Sequence, residues 1–133
     1  MIEHLKGDEG QLASLTIDMS SSAGGAFVDT AYGPEQLTKG EAVQVETVTG
    51  FEQGSQSGTI TFRKFLSGHR LNLLVDLDDR AAGGDNDMDI LTANELEGST
   101  VQARIRGADG EARAWTGSFD ANGIALVGNL ACA

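Results

Sequence analysis

The chain has 133 residues, a formal net charge of −11, 18 glycines and a single proline. This length is enough for one domain with its own core, so we predict a single β domain over residues 1–133. The acidity argues against sequence-specific nucleic-acid binding, because the long-range field repels phosphates. Aromatic residues make up only 5% of the chain, which predicts a thin, aliphatic core.

Localisation follows from what the sequence lacks. No apolar run approaches the ~20 residues that cross a bilayer, and the first residues lack the order of a signal peptide. We therefore expect a protein made in the cytoplasm that does not contact membranes. The lone cysteine, Cys132, has no second cysteine to pair with and is interpreted as a small residue near the chain end, with a reactive thiol as the alternative.

The first half of the chain predicts four strands, because apolar residues alternate with polar ones or β-branched residues are frequent. The predicted strands cover residues 12–19, 26–32, 41–49 and 59–65. Serine and glycine at 20–25 predict a flexible connection. The polar, glycine-rich residues 50–58 predict a long hairpin tip, which carries one aromatic residue, Phe51, that a solvated loop does not require.

The β rhythm breaks between residues 66 and 98. Leu71, Leu74 and Val75 are spaced for one face of a helix, Ser67 is a candidate N-cap, and a Gly-Gly pair at 83–84 is a candidate stop. We predict one short helix here, with a buried strand over 71–77 as the alternative, because periodicity does not separate the two in a short apolar run.

The last third of the chain predicts a three-stranded antiparallel meander. Residues 100–106 alternate without a miss, and an Asp-Gly turn at 107–110 leads to a returning strand over 111–119. An Asn-Gly turn then opens the apolar run 124–127. The whole pattern favours a mainly β fold, an antiparallel β-sandwich or barrel with one short α-helix in the middle of the chain.

Six aspartates form the most suggestive cluster for metal chemistry, since carboxylates are the oxygen ligands that calcium prefers. They are Asp76, Asp78, Asp79, Asp85, Asp87 and Asp89. Their spacing does not fit an EF-hand, because Ile90 stands at the glycine position and Leu96 at the position of the bidentate glutamate. A solvated acidic loop is the simpler interpretation, and we predict no metal site and no cofactor.

Catalytic motifs are also missing from the sequence. His4 and His69 form no spaced ligand pair, and a glycine-flanked segment at 54–58 has Gln56 where a nucleophile elbow needs its serine. No phosphate-binding glycine motif occurs. We therefore expect a protein that is not an enzyme.

Surface residues remain as the candidate functional site. Arg104, Arg106 and Arg113 lie on neighbouring predicted strands and gather three of the nine basic residues in one region of an acidic chain. Such segregated charge suits head-to-tail packing of identical subunits, and cross-strand pairing with acids such as Glu111 is the alternative. With the loop tip, the candidate subunit-interface residues are Phe51, Glu52, Gln53, Arg104, Arg106 and Arg113.

In the order of its strands, the chain resembles the tail tube proteins of tailed bacteriophages. The matching segments are residues 15–20, 39–47, 58–62 and 128–130, so the resemblance covers most of the chain. It implies a virion subunit that forms stacked hexameric rings, with adjacent rings joined by extended loops. It also implies assembly with other virion proteins and a hollow tube through which DNA passes without sequence-specific binding. The net charge of −11 agrees, because a lumen that attracted phosphates would retain the genome.

Two other classes stay open beside this one. A capsid decoration protein, or another virion β protein, shares the size and composition and would act as a trimer or monomer on a shell. A calcium- or ligand-binding β module would instead use the aspartates at 85–89.

Overall fold

A computed structural model describes residues 2–5, 10–30, 42–71, 76–78 and 93–128. The described part of the chain is mainly β, which confirms the predicted fold class. Its strands are β1 (Ile2–Glu3), β2 (Gln11–Asp18), β3 (Phe27–Thr30), β4 (Val43–Gly50), β5 (Ser57–Phe65), β6 (Arg70–Leu71), β7 (Asp76–Asp78), β8 (Thr100–Arg106) and β9 (Ala112–Ser118).

Five of these strands form one antiparallel sheet in the order β4-β5-β2-β8-β9. The hairpins β4–β5 and β8–β9 are each joined by a turn, and β2 lies between them. Two small antiparallel pairs, β1 with β6 and β3 with β7, complete the described strands. The sheet is therefore antiparallel throughout, as the sequence predicts.

Alternation along the strands gives the large sheet two unlike faces. On β2, Leu15 is paired with Ala103 of β8 on one face, while Thr16 is paired with Gln102 on the other. Leu12 and Leu15 are three residues apart, and a register shift at Ala13 returns both to the apolar face. A strict period of two would have placed one of them in solvent.

The core lies on the apolar face. Ile60 and Val101 of the large sheet belong to the same buried cluster as Val28 of β3 and Leu71 of β6, so the small strand pairs cover this face. The core is less aliphatic than predicted, because three of the five phenylalanines are buried. Phe62 and Phe65 meet edge to face with ring centroids 5.0 Å apart.

The predicted helix is not seen. Ser67 lies in a turn, Leu71 lies in strand β6, and strand β7 begins at residue 76. Residues 72–75 and 79–92, which include the predicted stop, are outside the described residues. The single helical piece in the described ranges is a 3-10 turn over Ala93–Leu96. No helix in these ranges is long and apolar enough to span a bilayer.

The third strand of the predicted meander is also wrong. Residues 124–127 follow the expected turn, in which Asp120 N donates to Ile124 O at 2.9 Å, but they form no strand. Instead the backbone at Leu126 lies over Gly117 of β9, where a Cβ atom would overlap it. Glycine at 117 lets the C-terminal segment approach the strand this closely.

The connection at 20–25 is not a flexible linker. The Ser22 hydroxyl donates to Met19 O at 2.6 Å and accepts from Ala26 N at 2.7 Å. Gly24 N donates to Glu95 O at 2.9 Å, which joins this connection to the 3-10 turn. Local side-chain and backbone hydrogen bonds replace the flexibility that composition alone suggested.

Candidate subunit interface

The outer face of the large sheet carries rows of small polar side chains. The strand registers align Thr49, Thr59, Thr16, Gln102 and Thr116 in one row across all five strands. The next row contains Thr47, Thr61, Ser14, Arg104 and Ala114. Neighbouring strands are about 4.8 Å apart, so these rows form a continuous hydroxyl-rich surface.

Hydrogen bonds hold several of these hydroxyls in place. Thr16 Oγ1 and Thr59 Oγ1 are 2.9 Å apart, and the hydroxyls of Thr47 and Thr61 are also hydrogen-bonded to each other. Because the side chains are short, β-branched and paired across strands, they lose little further entropy when another surface covers them. This face is suited to contact a flat partner.

The register separates the three arginines of the predicted patch. Arg104 is paired with Ser14 and Arg106 with Gln11, so both lie on the outer face. Arg113 is paired with Ile105 and lies on the opposite face, so the three do not form one patch. None of the residues directly paired with these arginines is acidic, so direct cross-strand ion pairing does not explain them.

Two basic residues that the sequence analysis missed join Arg104 and Arg106. Lys64 is paired with Gln44 and lies on the outer face, because its neighbour Phe65 lies on the apolar face. Arg63 has no paired residue on β4, because the register between β4 and β5 shifts at this position. Arg63 and Arg106 line the same open cleft of about 250 Å³ at this end of the sheet. These four residues, Arg63, Lys64, Arg104 and Arg106, are called the basic end below.

Phe51 is not available to a neighbouring subunit, which corrects its place among the candidate interface residues. Its side chain is only 5% exposed and belongs to the core. The backbone of Phe51 has a positive φ of 54°. Its ring occupies the space that a Cβ atom on residue 58 would fill, so a glycine is needed at that position. The aromatic residue in this polar loop is explained by packing within the subunit.

The loop around Phe51 is tied to β3. Gly54 N donates to Val28 O at 2.7 Å, and Val28 N donates to Ser55 O at 2.8 Å. These two backbone hydrogen bonds join the loop to β3. Glu52 and Gln53 remain exposed at its tip. The tip is therefore a short exposed corner and not a long mobile arm.

At the opposite end of the outer face, Asp18 is paired with Ser57 and Thr100. Hydrogen bonds from the side chain and then the backbone of Ser20 hold the pKa of the Asp18 carboxyl below its ordinary value. Ser20 N donates to Asp18 Oδ1 at 2.9 Å. The outer face thus has a carboxylate at one end and the basic end at the other.

The residues considered for metal chemistry are only partly described. Asp76 and Asp78 belong to β7, whereas Asp79, Asp85, Asp87 and Asp89 are outside the described residues. His4 and His69 meet through their backbones, with His4 N donating to His69 O at 3.0 Å, and His4 Nδ1 is 3.1 Å from Phe65 O. Within the described ranges, no group of three or more potential metal ligands comes together.

Strand β9 is a regular edge of the large sheet. It is paired with β8 from Ala112 to Ser118 without a register shift, and no other strand in the described ranges is paired with it. The other edge, β4, has register shifts near Val45. Bulges of this kind protect an edge strand from pairing with another chain, so β9 is the more accessible edge.

No protein-family model, curated protein or solved structure matches this chain.

Proposed function

We propose that this chain is a self-assembling structural subunit of a virion, specifically a tail tube protein whose rings stack to form a conduit for DNA. The observation that carries the proposal is the uninterrupted, mostly exposed edge strand β9. An edge strand presents unpaired N–H and C=O groups, and pairing with a strand of another subunit satisfies them. A heterologous contact of this kind closes into a ring when the rotation between subunits permits it.

The outer face of the sheet supports the same proposal. Its hydroxyl rows offer a flat surface with few flexible side chains, which a neighbouring subunit can cover at low entropic cost. The net charge of −11 disfavours retention of DNA phosphates by the assembled particle. The loop tip at Glu52 and Gln53 is a smaller candidate contact, because the rest of its loop is bonded within the subunit.

Negative-stain electron microscopy of the concentrated protein tests the proposal. We expect rings, or tubes built from stacked rings. Separate trimers without a central channel would support a capsid decoration protein instead. Monomers under all salt conditions would contradict a tail tube subunit.

A pair of lysine substitutions identifies the contact. Ala114→Lys places a lysine on the edge strand β9, and a charged side chain on an edge strand discourages pairing with another chain. Gln53→Lys adds the same charge at the loop tip. We expect Ala114→Lys to abolish the rings and Gln53→Lys to preserve them, and the reverse result would move the contact from the edge to the tip.

A further inference from the structure

The basic end of the outer face is unusual in this chain. It gathers four of the nine basic residues, although the chain carries 20 acidic residues. Arg63 and Arg106 line one cleft, and Gln11 and Phe62 are among its other lining residues. Because two guanidinium groups line one cleft, both attract an anion that lies between them.

We propose that this cleft is a receptor for carboxylate side chains of a second copy of the chain. Guanidinium groups bind carboxylates through two parallel hydrogen bonds, which gives the contact direction as well as affinity. A second copy of this chain brings 20 acidic residues, so we expect the basic end to be where two copies attract each other. The inference rests on the proposed self-assembly and names the chemistry of one of its contacts.

The residues paired across strands with Arg106 of the cleft are Gln11 and Ala112, and neither is acidic. Asp109 lies in the β8–β9 turn, where its Oδ1 accepts a hydrogen bond from Glu111 N at 3.1 Å. This turn follows Arg106, and Gly107 from the same segment lines the cleft. The turn therefore forms one margin of the cleft.

Sedimentation velocity of charge-reversal variants provides the test. We expect wild-type protein to associate more tightly in about 150 mM salt, where the net repulsion between two copies of charge −11 is already partly screened, than in about 500 mM salt, where the attraction of the cleft for a carboxylate is screened as well. The double variant Arg63→Glu with Arg106→Glu should associate at least about tenfold more weakly at the lower of these salt concentrations. Arg113→Glu changes the charge by the same amount as Arg63→Glu or Arg106→Glu alone, but on the other face of the sheet, and should associate more strongly than either single variant.

Cross-linking tests whether acidic residues of a second copy lie at the basic end. A zero-length carbodiimide joins a lysine amine to a carboxylate, and the chain has only three lysines, Lys6, Lys39 and Lys64. In a mixture of ¹⁵N-labelled and unlabelled protein, we expect Lys64 to be joined to acidic peptides of the other isotope. Cross-links of Lys64 confined to one isotope would overturn the inference.

The two proposals fail in different ways. If rings form and are equally stable in the Arg63→Glu, Arg106→Glu variant, self-assembly stands and the carboxylate receptor is overturned. If the wild-type protein stays monomeric under all salt conditions and Lys64 forms no cross-link between copies, both are overturned. Circular dichroism of each variant confirms that a loss of association does not reflect unfolding.

Discussion

The two faces of the five-stranded sheet come from the same strands and have opposite roles. On the apolar face, residues such as Leu15 and Ile60 are buried against the small strand pairs. On the outer face, their chain neighbours Thr16 and Thr59 form a hydroxyl row. One face forms the core of the subunit, and the other carries polar side chains that are half-buried or exposed among the described residues. Substitutions on the first should change stability, and those on the second should change assembly.

The largest effect on stability is expected for Phe65→Ala. Phe65 is fully buried and contacts the rings of Phe62 and His4. Its truncation leaves a cavity in a packed core, so the free energy of unfolding should fall by about 3–5 kcal/mol in urea denaturation. Thr49→Ala on the outer face is the control and should change it by no more than about 0.5 kcal/mol. Similar losses for both would show that the two faces are not distinct.

A smaller loss is expected for Gly58→Ala, which tests the packing of Phe51. The added methyl group overlaps the Phe51 ring, and overpacking of this kind costs about 1–3 kcal/mol. In a double-mutant cycle with Phe51→Ala, the cost of the Gly58 substitution should largely disappear, because the ring is gone. Additive costs in the cycle would contradict the contact.

Ser22→Ala should destabilise by about 1 kcal/mol, because the hydroxyl both donates to Met19 O and accepts from Ala26 N. Ser21→Ala changes an exposed neighbour and is the matched control. Thermal unfolding measures both. Equal melting temperatures for the two variants would mean that the connection at 20–25 does not depend on this hydroxyl.

The smallest effect is a pH dependence at Asp18. Its folded-state pKa lies below the ordinary value of 3.8, so its stabilising contribution is present above that value and is lost as the pH falls through the lowered pKa. Ser20→Ala removes the side-chain hydrogen bond, and NMR titration should then show the Asp18 pKa closer to its ordinary value. An unchanged titration would contradict this cause.

The apolar face was largely predictable from the sequence, because alternation of residue types reports burial directly. Strands β2, β5 and β8 were predicted within two residues of their observed ends. The predicted helix is not seen, since Leu71 lies in β6, which is paired with β1 from a distant part of the chain. Spacing along the chain contains no information about such a partner.

The outer face was much less predictable, because its composition depends on register. Arg104 and Arg113 are close in sequence but lie on opposite faces, whereas Arg63 and Arg106 are far apart in sequence and line one cleft. The polar sequence around Phe51 indicates an interface residue, whereas its burial and its contact with Gly58 place it in the core. Which basic residues share a surface depends on the register between strands, and the sequence does not give that register.

Hydrogen exchange of the backbone amides of β9 is the most direct test of the central claim that this edge strand joins subunits. Mass spectrometry would compare the protein at low concentration with the same protein under conditions that favour assembly. We expect residues 112–118 to exchange more slowly on assembly, while the exposed tip at Glu52 and Gln53 changes less. Rings that form without any slowing of exchange in β9 would contradict the claim.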